Sequence, residues 1–141
     1  MNMPLFLCFS TTFYTKIFSL EAKSMNKEMK LGIANEALVV KFIGDVDNLV
    51  SENYKNKLET IINENKYKKV IMDFSNVTFI DSSGLGLILG RYNQLKKTNG
   101  TLYVCGVNKQ TEKIFNIAGI WTIVDKYDSI NHALKTVGAS R

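Results

Sequence analysis

Cysteine and histidine are scarce in this chain, and their scarcity removes several kinds of chemistry at once. Cys8 and Cys105 are the only thiols. Two widely separated cysteines make neither a disulfide framework nor a metal site, which fits a reduced, cytosolic protein. Cys105 falls inside the apolar run Leu102-Tyr103-Val104-Cys105 and reads as a buried thiol. His132, the sole histidine, lies in Ile130-Asn131-His132-Ala133-Leu134 and reads as a helix-surface residue rather than a ligand or base. Also missing are the Gly-x-Ser-x-Gly elbow that exposes an esterase nucleophile and both common glycine-rich phosphate loops. A serine nucleophile would need a base within reach, and only His132 is on offer. The carboxylates Asp45, Asp47, Asp73 and Asp81 invite the idea of a Mg²⁺ site, but strand-end aspartates more often cap turns. The chain therefore reads as a non-enzyme with no metal or cofactor of its own.

Charge is present but not concentrated. The formal net charge of +5 and pI near 9.2 come from clusters at Lys66-Tyr67-Lys68-Lys69 and from Arg91 to Lys97. Neither cluster has the aromatic interleaving or motif of a nucleic-acid reader, so both read as solvated faces. With 141 residues, 45% of them hydrophobic, the chain fits one domain with a real core.

Residues 1–24 differ in character from the rest of the chain. They hold four of the eight phenylalanines, the only proline (Pro4) and a single acidic residue, Glu21, with no clear periodicity. The segment has neither the basic start nor the cleavage site of a signal peptide. Ser10-Thr11-Thr12 and Lys16 make it too polar to span a membrane, so no stable membrane insertion is expected. The expectation is an atypical extension, disordered or not native, ahead of a domain over 25–141 that begins at Met25.

From there the pattern is regular. Two strands, Lys30 to Ala34 and Ala37 to Ile43, flank a turn at Asn35-Glu36 and predict a hairpin. Apolar spacing predicts a helix over Leu49 to Asn65, a strand over Lys69 to Phe74, and a second helix over Ser83 to Thr98. A strand over Thr101 to Gly106 comes next, then a helix from Lys109 to Ala118 ended by Gly119. A short strand at Thr122 to Val124 and a last helix from Asp128 to about Val137 finish the chain. Alternating strands and helices of this length predict an α/β fold, a small mixed sheet with an N-terminal hairpin and then parallel strands, packed against about four helices.

The most informative stretch is Phe79-Ile80-Asp81-Ser82-Ser83-Gly84-Leu85-Gly86-Leu87-Ile88-Leu89-Gly90. It sets two adjacent hydroxyls behind a carboxylate where a strand hands over to a helix, so Asp81, Ser82 or Ser83 is the expected N-cap. One serine suffices for a cap. The second hydroxyl, and glycines that weaken a helix by nearly 1 kcal/mol each relative to alanine, call for another purpose. Phosphorylation of a serine there would add roughly −1.5 to −2 charges. A helix N-terminus tolerates that charge without unfolding. The phosphate would then project outward against a docked partner, and Gly84 and Gly86 would let that partner approach closely. Leu85, Ile88, Leu89 and Tyr92 read as the core stripe of this helix. Arg91 lies off the stripe, facing solvent or partner, and Trp121 reads as a core-edge or surface aromatic.

Ile71-Met72-Asp73-Phe74, the Phe79 to Gly86 stretch and Leu89-Gly90-Arg91-Tyr92 resemble the anti-anti-sigma factor family with its STAS fold. Gly44-Asp45-Val46-Asp47, Gly100 to Cys105, Ile114 to Ile120 and Ala133-Leu134 match in order and spacing, from about Lys30 to the C-terminus. The likeness is greatest to the stage II sporulation branch of spore-forming Firmicutes. It implies a cytoplasmic, non-enzymatic regulator in a partner-switching circuit. Unphosphorylated, such a protein binds an anti-sigma factor that is also a serine kinase and frees a sigma factor; phosphorylated, it releases the kinase. The kinase brings the ATP and Mg²⁺, and a serine phosphatase resets the switch. The implied acceptor is Ser82, with Ser83 as cap or interface residue. The implied partner surface is Asp47, Asn48, Asp81, Ser83, Gly84, Leu85 and Gly86. The other reading is a STAS module of a general stress or lipid-transport system, in which the serines only cap the helix.

Overall fold

The computed structural model describes residues 14–21 and 26–139, with side chains described for 26–138. Six strands lie in sequential order: β1 (Tyr14–Glu21), β2 (Glu28–Ala34), β3 (Ala37–Ile43), β4 (Lys69–Asn76), β5 (Thr101–Cys105) and β6 (Asp125–Tyr127). β1, β2 and β3 pair antiparallel, and β3 to β6 pair parallel. The helices are α1 (Ser51–Asn65), α2 (Ser82–Lys96), α3 (Lys109–Ile117) and α4 (Ile130–Ala139). The mixed sheet of hairpin and parallel strands is the one the sequence predicts.

Local chemistry accounts for the hairpin. Asn35 and Glu36 both have positive φ, 53° and 66°, the geometry a two-residue turn needs to match the strand twist. Ala34 then faces Ala37 across the register. Asn35 Nδ2 donates to the Leu134 carbonyl at 2.8 Å, tying the turn to α4.

Sequential strand order combined with right-handed crossovers puts the connecting helices on one face of the sheet. Leu38, Val40, Phe42, Val70, Met72 and Phe74 turn toward that face and pack with Tyr54 and Leu58 of α1, Leu87, Ile88 and Leu95 of α2, and Phe115 of α3. The alternate residues Val39, Ile71, Tyr103 and Cys105 face Ala133, Leu134 and Val137 of α4. Cys105 is buried and free. His132 is exposed on α4 with its ring edge-on to Tyr127 at 5.1 Å, on the helix surface as expected.

Residues 14–21, within the extension expected to be disordered or not native, form β1 and extend the open edge of β2, from Tyr14 opposite Ala34 to Glu21 opposite Glu28 with a bulge between Tyr14 and Ile17. Edge pairing uses backbone groups that every sequence has, so no side-chain pattern announced it. Residues 1–13 and 22–25 lie outside the described residues. The predicted strand over Thr122 to Val124 is instead a 3-10 turn at Ile120–Thr122, and the strand begins at Asp125. Gly119 at φ +72° opens the turn, and Thr122 Oγ1 donates to the Gly119 carbonyl at 2.6 Å. Finally, α1 starts at Ser51, leaving Leu49 outside the helix.

Candidate functional site

Two loops meet at the ends of β3 and β4. A parallel bridge joins Val46 to Ile80. The Val46 N–H donates to the Phe79 carbonyl at 3.0 Å, and the Asp81 N–H donates to the Val46 carbonyl at 3.3 Å. Val46 and Ile80 are both buried, so the bridge anchors the loops to the core and leaves Asp47, Phe79 and Asp81 at the surface side.

Asp81 caps α2. Its Oδ1 accepts the Ser83 N–H at 2.9 Å, the Gly84 N–H at 3.1 Å and the Ser83 hydroxyl at 2.6 Å. Its Oδ2 accepts the Asn48 N–H at 3.1 Å from the neighbouring loop. Partial burial raises this carboxyl, but the hydrogen bonds from Ser83, Gly84 and Asn48 outweigh it and hold the group below its usual value of 3.8. The cap is therefore Asp81 and not Ser83. Asp81 has extended backbone (φ −108°, ψ −172°), which swings its carboxylate over the first-turn N–H groups.

The two serines are thereby separated in role. Ser83 is half-buried, and its hydroxyl lies within hydrogen-bonding distance of both Asp81 Oδ1 and the Ser51 hydroxyl, 3.1 Å away. Ser51 Oγ in turn donates to the Asp47 carbonyl at 2.8 Å. Ser82 is exposed, and its hydroxyl takes part in none of these contacts. The helix N-terminus, expected to offer free N–H groups to a phosphate, has those of Ser83 and Gly84 committed to Asp81 and that of Leu85 to the Asp81 carbonyl. A charge on Ser82 would stand outside the cap, beside a carboxylate.

The glycines also divide. Gly84 is buried, and a Cβ there would collide with Ile80 Cγ1 and stand 2.6 Å from the Val46 carbonyl oxygen. Its lack of a side chain lets α2 sit on the Val46–Ile80 bridge; it does not clear a path for a partner. Gly86 and Gly90 have nothing within 4 Å of a Cβ position and line an open groove of about 560 Å³ with Asn48, Ser51, Glu52, Lys55, Ser83 and Leu87.

The other predicted residues fall around this centre. Asp47 is half-buried, Asn48 and Gly86 are exposed, and Leu85 is half-buried against the core. Of the four strand-end carboxylates, Asp73 is buried next to Cys105 in the sheet register, away from the Val46–Ile80 loops. Among the described residues no group of acidic, histidine and cysteine side chains is arranged to hold a metal. Arg91, expected toward solvent or partner, is only 3% exposed. It packs between α2 and α1, with Nη1 3.5 Å from the Lys55 carbonyl and Nη2 4.0 Å from Glu59. Burial pulls its guanidinium below the usual value, partly offset by Glu59. Trp121 is half-buried against Phe115, at the core edge. Leu49 and Phe79, 68% and 48% exposed, flank the site. The apolar spacing of Leu49 continues the helix pattern of α1, which is why the sequence points it to the core. Lys27 and Ser51 carry no sequence signal at all.

A sheet of hairpin and parallel strands, with an exposed serine at the first turn of a helix laid on a strand-end bridge, defines a STAS domain. Residues 26–133 match the STAS domain family, and the chain belongs to it. It is 29% identical over 110 residues to the anti-sigma F factor antagonist of Paenibacillus polymyxa, covering 78% of this chain and 94% of that one. It resembles the unphosphorylated anti-sigma factor antagonist SpoIIAA at 25% identity and a TM-score of 0.66, covering 79% of this chain and 98% of that one. The phosphorylated form of the Bacillus SpoIIAA is similar at 25% identity and a TM-score of 0.65, covering 77% and 98%. Among the described residues no helix is long and apolar enough to cross a membrane.

Proposed function

We propose that this chain is a cytoplasmic anti-sigma factor antagonist in a partner-switching circuit. Its unphosphorylated form binds an anti-sigma factor that is also a serine kinase and so frees a sigma factor, in control of sporulation transcription. Phosphorylation of Ser82 releases the kinase, and a serine phosphatase returns the protein to its binding form. The kinase brings ATP and Mg²⁺; the chain contributes a surface and a hydroxyl.

One observation carries this reading: Ser82 is exposed with an uncommitted hydroxyl, while Asp81 and Ser83 are consumed in the cap. A kinase can reach Ser82 without breaking the helix start, and the product charge remains at the surface. Asp81 on one side and the committed N–H groups beneath offer that charge little compensation, so it acts against a docked partner. Exposed Asn48 and Gly86, with half-buried Leu85, form the contact surface; Asp47, Asp81, Ser83 and Gly84 hold it in shape. That a relative of the same fold exists in phosphorylated and unphosphorylated forms supports the reading.

Incubation with the anti-sigma kinase of the same organism and ATP is expected to add one phosphate, read by intact-mass spectrometry. Ser82→Ala is expected to abolish it. Phosphate on Ser83, or on neither serine, would sink the assignment.

A further inference from the structure

We propose that Lys27 is a positioning residue for partner recognition: it pins the Asp47–Leu49 turn beside the Ser82 helix start, so that Asp47 shapes the contact surface and does not act as a free negative charge. The inference rests on reading the chain as an anti-sigma factor antagonist and goes further, assigning a residue that neither the motif nor the family likeness picked out.

Lysine is rarely buried, because removing an ammonium from water is costly unless it is paired. Lys27 is only 5% exposed, and its Nζ lies 2.6 Å from Asp47 Oδ2, twenty positions away in sequence. The corner at Gly44 makes the approach possible. With φ at +83° and no side chain, Gly44 lets the Asn26–Lys27 backbone pack against it; a Cβ there would be 3.1 Å from the Asn26 carbonyl oxygen and 3.3 Å from Lys27 Cα.

Asp47 is fully engaged within the chain. Oδ2 holds Lys27, Oδ1 accepts the Leu49 N–H at 3.1 Å, and the carbonyl accepts the Ser51 N–H at 2.9 Å and the Ser51 hydroxyl at 2.8 Å. Its side chain is 17% exposed. A carboxylate already neutralised by a buried ammonium is a poor target for a partner's cation. What it does achieve is a fixed turn. Asn48, the next residue, donates its N–H to Asp81, the neighbour of Ser82, while Leu49 stands outward. The contacts run without a gap from Lys27 through Asp47 and Asn48 to Asp81.

The test is steady-state phosphorylation of the full chain by the anti-sigma kinase with ATP, comparing wild type with Lys27→Met, Lys27→Arg, Asp47→Asn and the double variant Lys27→Met/Asp47→Asn. Lys27→Met is expected to raise KM for the chain about tenfold or more, since small misplacements of recognition groups cost that much. It should leave kcat unchanged, because the Ser82 turn is held by Asp81. A general loss of folding would instead lower the reactive fraction, and circular dichroism would detect it. Lys27→Arg should recover most of the loss, and the double variant should be no worse than Asp47→Asn alone. If Asp47 works as a free charge, Asp47→Asn weakens recognition while Lys27→Met leaves it unchanged or tightens it; that result overturns the inference and leaves the functional reading standing. Should Lys27→Met fail to fold, Asp47→Asn probes the same pair from the other side, and wild-type KM in that variant overturns the inference equally. A wild-type chain that the kinase neither binds nor phosphorylates removes the functional reading and the inference with it.

Discussion

At the scale of single residues, Asp81 alone takes the capping task that the sequence left shared among three side chains, and Ser82 stays exposed outside the cap. Aspartate and serine are both good caps, and the sequence does not reveal which one reaches the first-turn N–H groups. The extended backbone at Asp81 decides it. Replacing Asp81 with alanine is expected to cost about 1 kcal/mol in urea unfolding at neutral pH, the usual loss for an N-cap. The carboxyl is held below its usual 3.8, so the folded chain binds this proton less readily than the unfolded one. Its stabilising effect is therefore complete above that value and fades as the pH falls through the lower folded value. Asp81→Asn, still a competent cap, should flatten this part of the acid limb when unfolding is measured from about pH 7 down to about pH 2. For Ser82, substitution by aspartate is expected to weaken kinase binding in a calorimetric titration while leaving the far-ultraviolet circular dichroism unchanged. Loss of folding in that variant would return Ser82 to a purely structural role.

Elements are where sequence pattern and packing agree most often. Apolar runs predicted β3 and β4, helical spacing predicted α2, and the turn at Asn35-Glu36, where both residues take positive φ, falls between the two predicted strands of the hairpin. The failures occur where a local pattern had two solutions. Leu49 extends the apolar spacing of α1 yet lies in the turn before it, because Asp47 accepts the N–H groups of Leu49, Val50 and Ser51 and starts the helix later. The Thr122 to Val124 run looks like a strand, but Gly119 begins a 3-10 turn that displaces the strand to Asp125. Within α2 the glycines make opposite predictions. Gly84→Ala should destabilise by about 1–3 kcal/mol in thermal or urea unfolding, because the added methyl meets Ile80 and the Val46 backbone. Gly86→Ala, with open space around its Cβ position, should gain up to about 1 kcal/mol of helix stability. If a partner packs against the helix there, the same methyl should weaken kinase binding.

For the whole molecule, the large core lies between the sheet and α1 to α3, and a smaller one lies under α4. Among the residues whose side chains are described, 26–138, every member of both cores falls between Met29 and Val137. A chain beginning at Met25 is expected to unfold in one cooperative transition; a broad, non-cooperative melt would show that β1 is needed to close the fold. The sequence by itself determined the strand–helix alternation, the hairpin, the two apolar faces and the position of the Asp81-Ser82-Ser83-Gly84 step. Those arise from periodicity and turn propensity, which act between neighbours in the chain. Tertiary structure decided which side chain caps α2, that Gly84 serves packing, that Arg91 is buried between helices, that β1 joins the sheet and that Lys27 reaches Asp47. The cap turns on the backbone angles of Asp81, and the others depend on groups far apart in sequence meeting across the Val46–Ile80 bridge, the α1–α2 contact, the edge of β2 or the Gly44 corner; no local pattern encodes such a meeting.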